Sequence, residues 1–492
     1  MRVFHDDRKV RLSLRGVILP FSIRREITMS TKTNNKASES SSNAMLLLIT
    51  RLHFYIGLFI GPFIFVAALT GTIYVITPQI ENAIYKDVLT TQSVGENKPL
   101  SQQIAVAKSQ LTKDLTLFAV RPAPEKGDTT RVMFLDKEAE LSGARAIFID
   151  PVTLEVTGNL PVYGTSGVLP FRTTIDFMHR QLLLGEFGRY YSELAASWLW
   201  IAALGGLFLW YKGGKKNKAE FASKTEHLRK RRRHYQVGLC LFVGLIFVSI
   251  TGLTWSKWAG DNISTLRNSI GWITPSVSQD LTTIDHNMMM SDEHADHLNH
   301  SSHHNMQTKK QTAEKFENVD ALFDGVLKAA RDAGIDANKL EIRPSSTKDK
   351  AWRVSEIDRS WPTQVDSVAV DASTMTVTSR ADFATFPIVA KLIRWGIDAH
   401  MGVLFGVVNQ IILTAFGLSL CFMIIWGYRM WWIRRPQAGS TSKPLLQAWA
   451  RLTGLQKIIT VLIAITLGIS MPVMGVSLLA FLLIDVYRWK RQ

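Results

Sequence analysis

The chain has 492 residues, 47% of them hydrophobic and 20% charged, with a formal net charge of +16. A soluble chain of this size would fold as two or more ordinary domains, but the apolar residues here gather into long runs with the charges between them, which excludes a purely soluble protein. The basic clusters abut those runs, where they hold helix ends at the cytoplasmic face, so nucleic acid is not expected as a partner.

Residues 1–44 read as a disordered basic N-terminus, with Arg2, Arg8, Lys9, Arg11, Arg15, Arg24 and Arg25 ahead of a Ser/Asn/Lys-rich stretch. The patch Val17–Phe21 is too short for the core of a signal peptide, and Met29 is an alternative start to Met1. Four runs, Phe54–Ile76, Leu194–Tyr211, Gln236–Trp255 and Gly402–Trp426, have about the 20 residues that cross a hydrocarbon core. They predict spans at 45–77, 193–211, 236–256 and 402–428, the first acting as an uncleaved signal anchor. Residues 78–192 form a first external domain. Residues 212–235 form a cytoplasmic loop with ten Lys or Arg against two Glu. A His/Met-rich insertion is placed at 257–310, a second external domain at 311–401 and a cytoplasmic loop at 429–453. The stretch after Gly454 is too long for one crossing and carries Pro472 and Gly475 near its middle. It reads as two shorter helices, 454–471 and 472–488. The basic loop, YRMWWIRRP and the C-terminal YRWKRQ put both termini in the cytoplasm of a bacterial inner membrane, with both long loops in the periplasm. Cys240 and Cys421 fall inside spans, so no disulfide framework is expected, and without CxxCH no covalent c-type haem.

Self-similarity is the most informative feature. RLHFYIGLF at 51–59 resembles RRHYQVGLC at 232–240, and Thr70-Gly71 and Thr251-Gly252 follow at the same offset of 181 residues. IDPVTLEVTG at 149–158 resembles VDASTMTVTS at 370–379. His179 matches His400, and Gly206-x3-Trp210 matches Gly427-x3-Trp431, all at an offset of 221. The jump in offset locates an insertion in the second external loop, at the tract DHNMMMSDEHADHLNHSSHHNM. The chain therefore reads as two parallel copies of helix, external domain, His-bearing segment and helix. Each external domain reads as one helix (Leu100–Leu111, Val319–Ala333) and a few alternating strands, a small α+β unit.

That pattern of helix, strands and a terminal (I/V)D-x-x-T-x-x-V resembles the PepSY domain. FATFPIVAKLIRWGIDAHMGVLFGVVNQIILTAFGLSLCFMIIWGYRMWWIRRP resembles the PepSY-associated transmembrane region. The resemblance covers about 45–490 and implies kinship with iron-regulated inner-membrane proteins and di-haem siderophore reductases. The second copy has Asp371-Ala372-Ser373-Thr374 where the first has Asp150-Pro151, and the His/Met insertion is not part of the family pattern.

Of the twelve histidines, four occupy repeat-equivalent places. His53 and His234 sit at the cytoplasmic starts of the first and third spans. His179 precedes the second span on a short amphipathic segment, and His400 opens the fourth. A b-type haem takes one or two imidazoles as axial ligands. His53 with His234 would ligate one haem and His179 with His400 another, giving two haems b at opposite surfaces. Gly57 and Gly238 would leave open helix faces for a flat macrocycle, and Arg51 and Arg232 would pair with propionates. The same residues also fit interfacial anchoring, ordinary small-residue helix packing at Gly57-x3-Gly61, and the positive-inside rule. The tract residues His286, His294, His297, His300, His303 and His304, with Met288, Met289, Met290 and Met306, have soft-metal chemistry, copper included, but their irregular spacing also fits a solvated insert. Asp485 is either a proton-relay group or a helix-end residue.

Two haems would carry electrons across the bilayer. No GxGxxG fingerprint is present, so electrons would come from a quinol or a separate cytoplasmic reductase. With the resemblance, this gives an inner-membrane reductase of periplasmic ferric siderophores or ferric chelates. A copper-handling protein and a non-catalytic PepSY adaptor remain open.

Overall fold

The computed structural model describes residues 44–136, 138, 143–164, 167–222, 226–282, 314–434 and 445–490. The His/Met tract and the basic N-terminus lie outside the described residues. Among the described residues, five helices are long and apolar enough to cross a membrane: α1 (Ala44–Val75), α6 (Gly185–Ala222, apolar to Gly214), α7 (Glu226–Thr254), α11 (Gly406–Arg434) and α14 (Pro472–Lys490). The shorter α13 (Gly454–Ser470) begins with a capping box between Thr453 and Gln456 and turns at Met471 into α14. Gly475 lies so close to Gly468 that a Cβ there would come 2.8 Å from the Gly468 carbonyl oxygen. The hairpin expected at 454–488 is thus present. Several helices outrun their hydropathy windows: α7 starts at Glu226, ahead of the basic RKRRRH segment, and α6 starts at Gly185 rather than 193. Helical hydrogen bonding does not stop where the apolar run does.

Outside the bundle, two short helices, α2 (Thr77–Ile84) and α3 (Lys86–Leu89), lead to α4 (Leu100–Ser109) and strands β1 (Thr116–Arg121), β2 (Thr130–Leu135), β3 (Gly143–Ile149) and β4 (Val156–Tyr163). The second half repeats this as α9 (Phe323–Asp332), β5 (Leu340–Arg343), β6 (Trp352–Glu356), β7 (Ser367–Asp371) and β8 (Thr376–Ala381). Two separate external domains were expected; instead the strands form one eight-stranded antiparallel sheet, β4-β3-β2-β1-β5-β6-β7-β8. The halves join edge to edge, Val120 pairing with Ile342. Alternation explains the layering. Val120, Val132, Phe134, Ile147, Ile342, Trp352, Val354 and Val368 point to one face and share a single core with Ile104 of α4 and Phe323 and Val326 of α9. The other face of the first half, through Ala119, Met133 and Phe148, packs on Tyr85, Val88 and Leu169 next to the bundle. Joining the halves removes two exposed strand edges and merges two small cores into one.

The segment assigned to the insertion at 257–310 opens with ordered structure. Residues Trp258–Ser269 form α8, whose first amides bond to the buried Glu193 carboxylate of α6. Residues 278–281 then run against the second half-sheet, with Ala351 N donating to Gln279 O at 2.7 Å. Polar composition hid this, because the capping and backbone bonds that hold the segment leave no mark on residue type and its apolar anchors, Ala259, Ile263, Val277 and Leu281, are too sparse to form a run.

Candidate functional site

Two further helices, α5 (Pro170–Gln181) and α10 (Ile388–His400), lie between the sheet and the bundle. Proline starts α5 at its first turn, and Leu182 ends it in the left-handed region. Arg172 and Arg180 fix it. The Arg172 amide donates to Glu81 Oε1 and its guanidinium to the Tyr74 hydroxyl, both at 2.9 Å. Arg180 pairs with Asp176 at 2.8 Å and lies over the Tyr163 and Phe177 rings. His179 sits in the last turn of α5, and His400 ends α10. His400 therefore does not open the fourth span, as the hydropathy run had it. Gly402 and Gly406 both take positive φ and break the chain between α10 and α11, as Gly185 does before α6.

Each of the four histidines has its Nδ1 tied to a neighbouring element, in matched fashion. His53 Nδ1 donates to the Ala202 carbonyl of α6 at 3.1 Å, and His234 Nδ1 to the Met423 carbonyl of α11 at 3.3 Å. A carbonyl can only accept, so both Nδ1 atoms carry the proton. His179 Nδ1 meets Thr70 Oγ1 at 3.1 Å, and His400 Nδ1 meets Thr251 Oγ1 at 2.5 Å. Thr70 gives its one hydroxyl hydrogen to Val66 O at 2.7 Å, and Thr251 gives its own to Phe247 O at 2.8 Å. With their hydrogens on those carbonyls, the threonines accept from Nδ1–H. All four rings are thereby fixed as the tautomer with its lone pair on Nε2, the arrangement that a second-shell partner gives a metal-ligating histidine. Ala202 and Met423, like His179 and His400, are separated by 221 residues, and Thr70 and Thr251 by 181.

The rings fall into two pairs. His53 and His234 lie with centroids 6.4 Å apart and planes at 78°. His179 and His400 belong to the sheet side: their threonines stand 17 residues further along α1 and α7, about 25 Å at 1.5 Å per residue. Burial pulls the His400 pKa down to about 4, the nearby His179 adding to the shift, and burial pulls His179 down as well. Both are neutral imidazoles at physiological pH. Phe247 and Trp255 flank His400 at 6.4 and 6.3 Å.

Glycines back three of the four rings. A Cβ on Gly206 would come 3.3 Å from His53 Cε1, one on Gly427 3.8 Å from His234 Cε1, and one on Gly71 3.1 Å from His179 Cε1. These are markers of the repeat whose role the sequence left unassigned. Gly57 is open where a Cβ would stand, within a π-helical turn, Ile56–Ile60, whereas Gly238 packs on Met423 Sδ at 3.4 Å. Arg51 and Arg232, partly buried, lie two residues ahead of the inner pair. Asp485 is buried, 1% exposed, and accepts from the Tyr55 hydroxyl at 2.7 Å and Leu446 N at 2.8 Å. It pins the C-terminal hairpin to α1, which a helix-end residue would not do.

A b-type haem fits this donor set. Two metal–imidazole bonds of about 2 Å, with each nitrogen about 1 Å from its ring centre, put the centroids of a shared ion's ligands about 6 Å apart. The inner pair has that spacing. Among the described residues no three His, Cys, Asp or Glu side chains converge as a metal site. A pair of histidines suits an ion whose remaining positions are filled by something other than protein, as a macrocycle fills them.

The model of the PepSY-associated TM region matches residues 50–434, from just before His53 to the end of α11. The chain belongs to the PepSY-associated transmembrane family. No curated protein matches it. The PepSY match takes in both histidine pairs and the whole sheet, and leaves the α13–α14 hairpin outside.

Proposed function

We propose that this PepSY protein is a di-haem electron carrier of the bacterial inner membrane that reduces a ferric siderophore or ferric chelate at its periplasmic face. The observation that carries it is the fourfold tautomer lock, in which four imidazoles in two repeat-equivalent pairs each present Nε2. Anchoring of unused histidines does not require the same acceptor at the same offset twice over. The likeness of the two halves in strand order, helix breaks and histidine partners supports reading the chain as a parallel repeat. The basic loop between α6 and α7 supports placing the His53–His234 end in the cytoplasm and the sheet outside.

Haem bound at each pair would supply one-electron redox chemistry near each surface. The protein's own part is to hold the imidazoles neutral, oriented and packed against glycine. Electrons would enter from a quinol or a cytoplasmic reductase, one per Fe(III). Hard oxygen donors grip the resulting Fe(II) less tightly, so reduction frees the metal from its chelator. Absorption spectra of the purified protein, oxidised and dithionite-reduced, together with haem and copper stoichiometry, test this. Two b-type haems per chain and reduction of a ferric chelate are expected. Copper without haem would establish a copper-handling protein, and neither would leave a PepSY adaptor.

A further inference from the structure

Where β1 meets β5, the bundle-facing side of the sheet carries a concentration of arginine. Arg121 stands directly opposite Arg131, and Arg343 directly opposite Arg353. Alternation with Val120, Val132, Ile342 and Val354, which face the distal core, puts all four on the bundle side. Like charges directly opposite across a ladder are destabilising, yet the arrangement occurs in both halves, on either side of the seam. A buried carboxylate, that of Glu341, lies among them. Glu341 accepts from Arg121 at 2.6 and 2.8 Å and from Arg343 at 2.5 Å.

Arg131 forms no ion pair of that kind, and Glu81 and Glu341 act on it only from a distance. Its guanidinium donates to the Gly167 carbonyl at 2.8 Å and lies over the Phe148 ring at 4.9 Å, and it touches no carboxylate among the described residues. Burial, and after it the neighbouring Arg121, pull its pKa down to about 9. A cation held from water with no carboxylate in direct contact is costly. The Gly167 loop leads directly into α5. At Gly167, φ is +59° and a Cβ would come 2.7 Å from Met133 Sδ and 3.5 and 3.6 Å from the Nη1 atoms of Arg121 and Arg131, so glycine lets the loop backbone close onto both guanidinium groups.

We infer that this seam is a binding site for a polycarboxylate ferric chelate, with Arg131 as its central cation and Arg121, Arg343 and Arg353 around it. Planar guanidinium groups match carboxylates in paired hydrogen bonds. The loop that Arg131 bonds leads into the helix that carries His179, and the site is on the side of the sheet that faces the bundle. The inference rests on the proposed function for the identity of the metal, but not for the binding of the anion.

The test uses full-length protein in nanodiscs of zwitterionic lipid, titrated calorimetrically with gallium citrate, a redox-silent stand-in for ferric citrate, and with the cationic gallium complex of desferrioxamine B. The wild type should bind the citrate complex and prefer it. Arg131→Gln should weaken it about tenfold or more, and Arg131→Lys should restore part of the loss. Arg145→Gln, which removes a positive charge from the opposite face, should leave binding unchanged, and thermal unfolding should show that Arg131→Gln folds. The same binding in haem-free protein would support the site even if the haem proposal fails. Equal affinity of wild type and Arg131→Gln, or tighter binding of the cationic complex, would overturn the inference. So would loss of citrate binding in phosphatidylglycerol nanodiscs, which would assign the arginines to lipid phosphate.

Discussion

Replacing Thr251 by valine keeps the shape of the side chain and removes the hydroxyl that His400 Nδ1 meets at 2.5 Å. The ring is buried, so that N–H would be left unsatisfied, at a cost of about 1–3 kcal/mol. Loss of a second-shell partner typically weakens metal binding ~10–100-fold, equivalent to ~1.4–2.8 kcal/mol, and the two ranges agree. Valine cannot rotate to recover the bond, whereas serine can, so Thr251→Ser should behave almost as wild type. The assay is haem transfer to excess apomyoglobin, followed by absorbance. One of the two haems should leave ~10–100-fold faster in Thr251→Val, and Thr70→Val should loosen the same one through His179. Unchanged transfer from both sites would refute the tautomer lock. Loosening of the haem removed by His53→Ala would refute the assignment of Thr251 to the sheet-side pair.

Replacing His53 or His234 by alanine should remove the same half of the haem, measured as pyridine haemochrome; loss of different halves would disprove the pairing. The ring planes at 78° should give the inner site a highly anisotropic low-spin ferric signal in electron paramagnetic resonance, and a rhombic signal of the kind parallel imidazoles give would count against it. Tyr55→Phe should cost about 1–2 kcal/mol by leaving one oxygen of buried Asp485 without its hydroxyl donor, seen as a lowered unfolding midpoint in detergent. Deleting residues 285–306 should leave haem content and ferric-chelate reduction intact, because Gln279 and Leu281 on one side and Lys348 on the other already close the second half-sheet. Loss of iron reduction with haem retained would show that the tract takes part in substrate binding.

Much of the membrane architecture could be read directly, because hydrocarbon imposes length and composition on a span. The histidines could be found because duplication shows them twice at one offset. Their partners could not. Ala202 and Met423 act through backbone carbonyls, and a carbonyl leaves no mark on residue type. Thr70 and Thr251 were visible as repeat markers beside glycine, but their use as acceptors depends on the α5 and α10 helices folding back onto the bundle. The break after His400 was missed because Gly402 and Gly406 lie at the start of an apolar run. The fused sheet was missed for another reason: β1 and β5 carry no signal that distinguishes an edge strand from an inner one, and Arg121 and Arg343 look like solvent-facing residues until the other face is covered.

The shared sheet has a mechanical consequence. Transport proteins built from two similar halves work by tilting one half against the other about a central site. Here the half-sheets are continuous across the Val120–Ile342 rung and close over one hydrophobic core. Any tilt would have to shear that rung and open that core, so the sheet layer acts as a crosspiece that keeps the two helical hairpins at a constant spacing. A frame of this kind is poorly suited to opening a path for a solute and well suited to holding two reaction partners at a fixed gap, over which an electron can pass while the protein stays still.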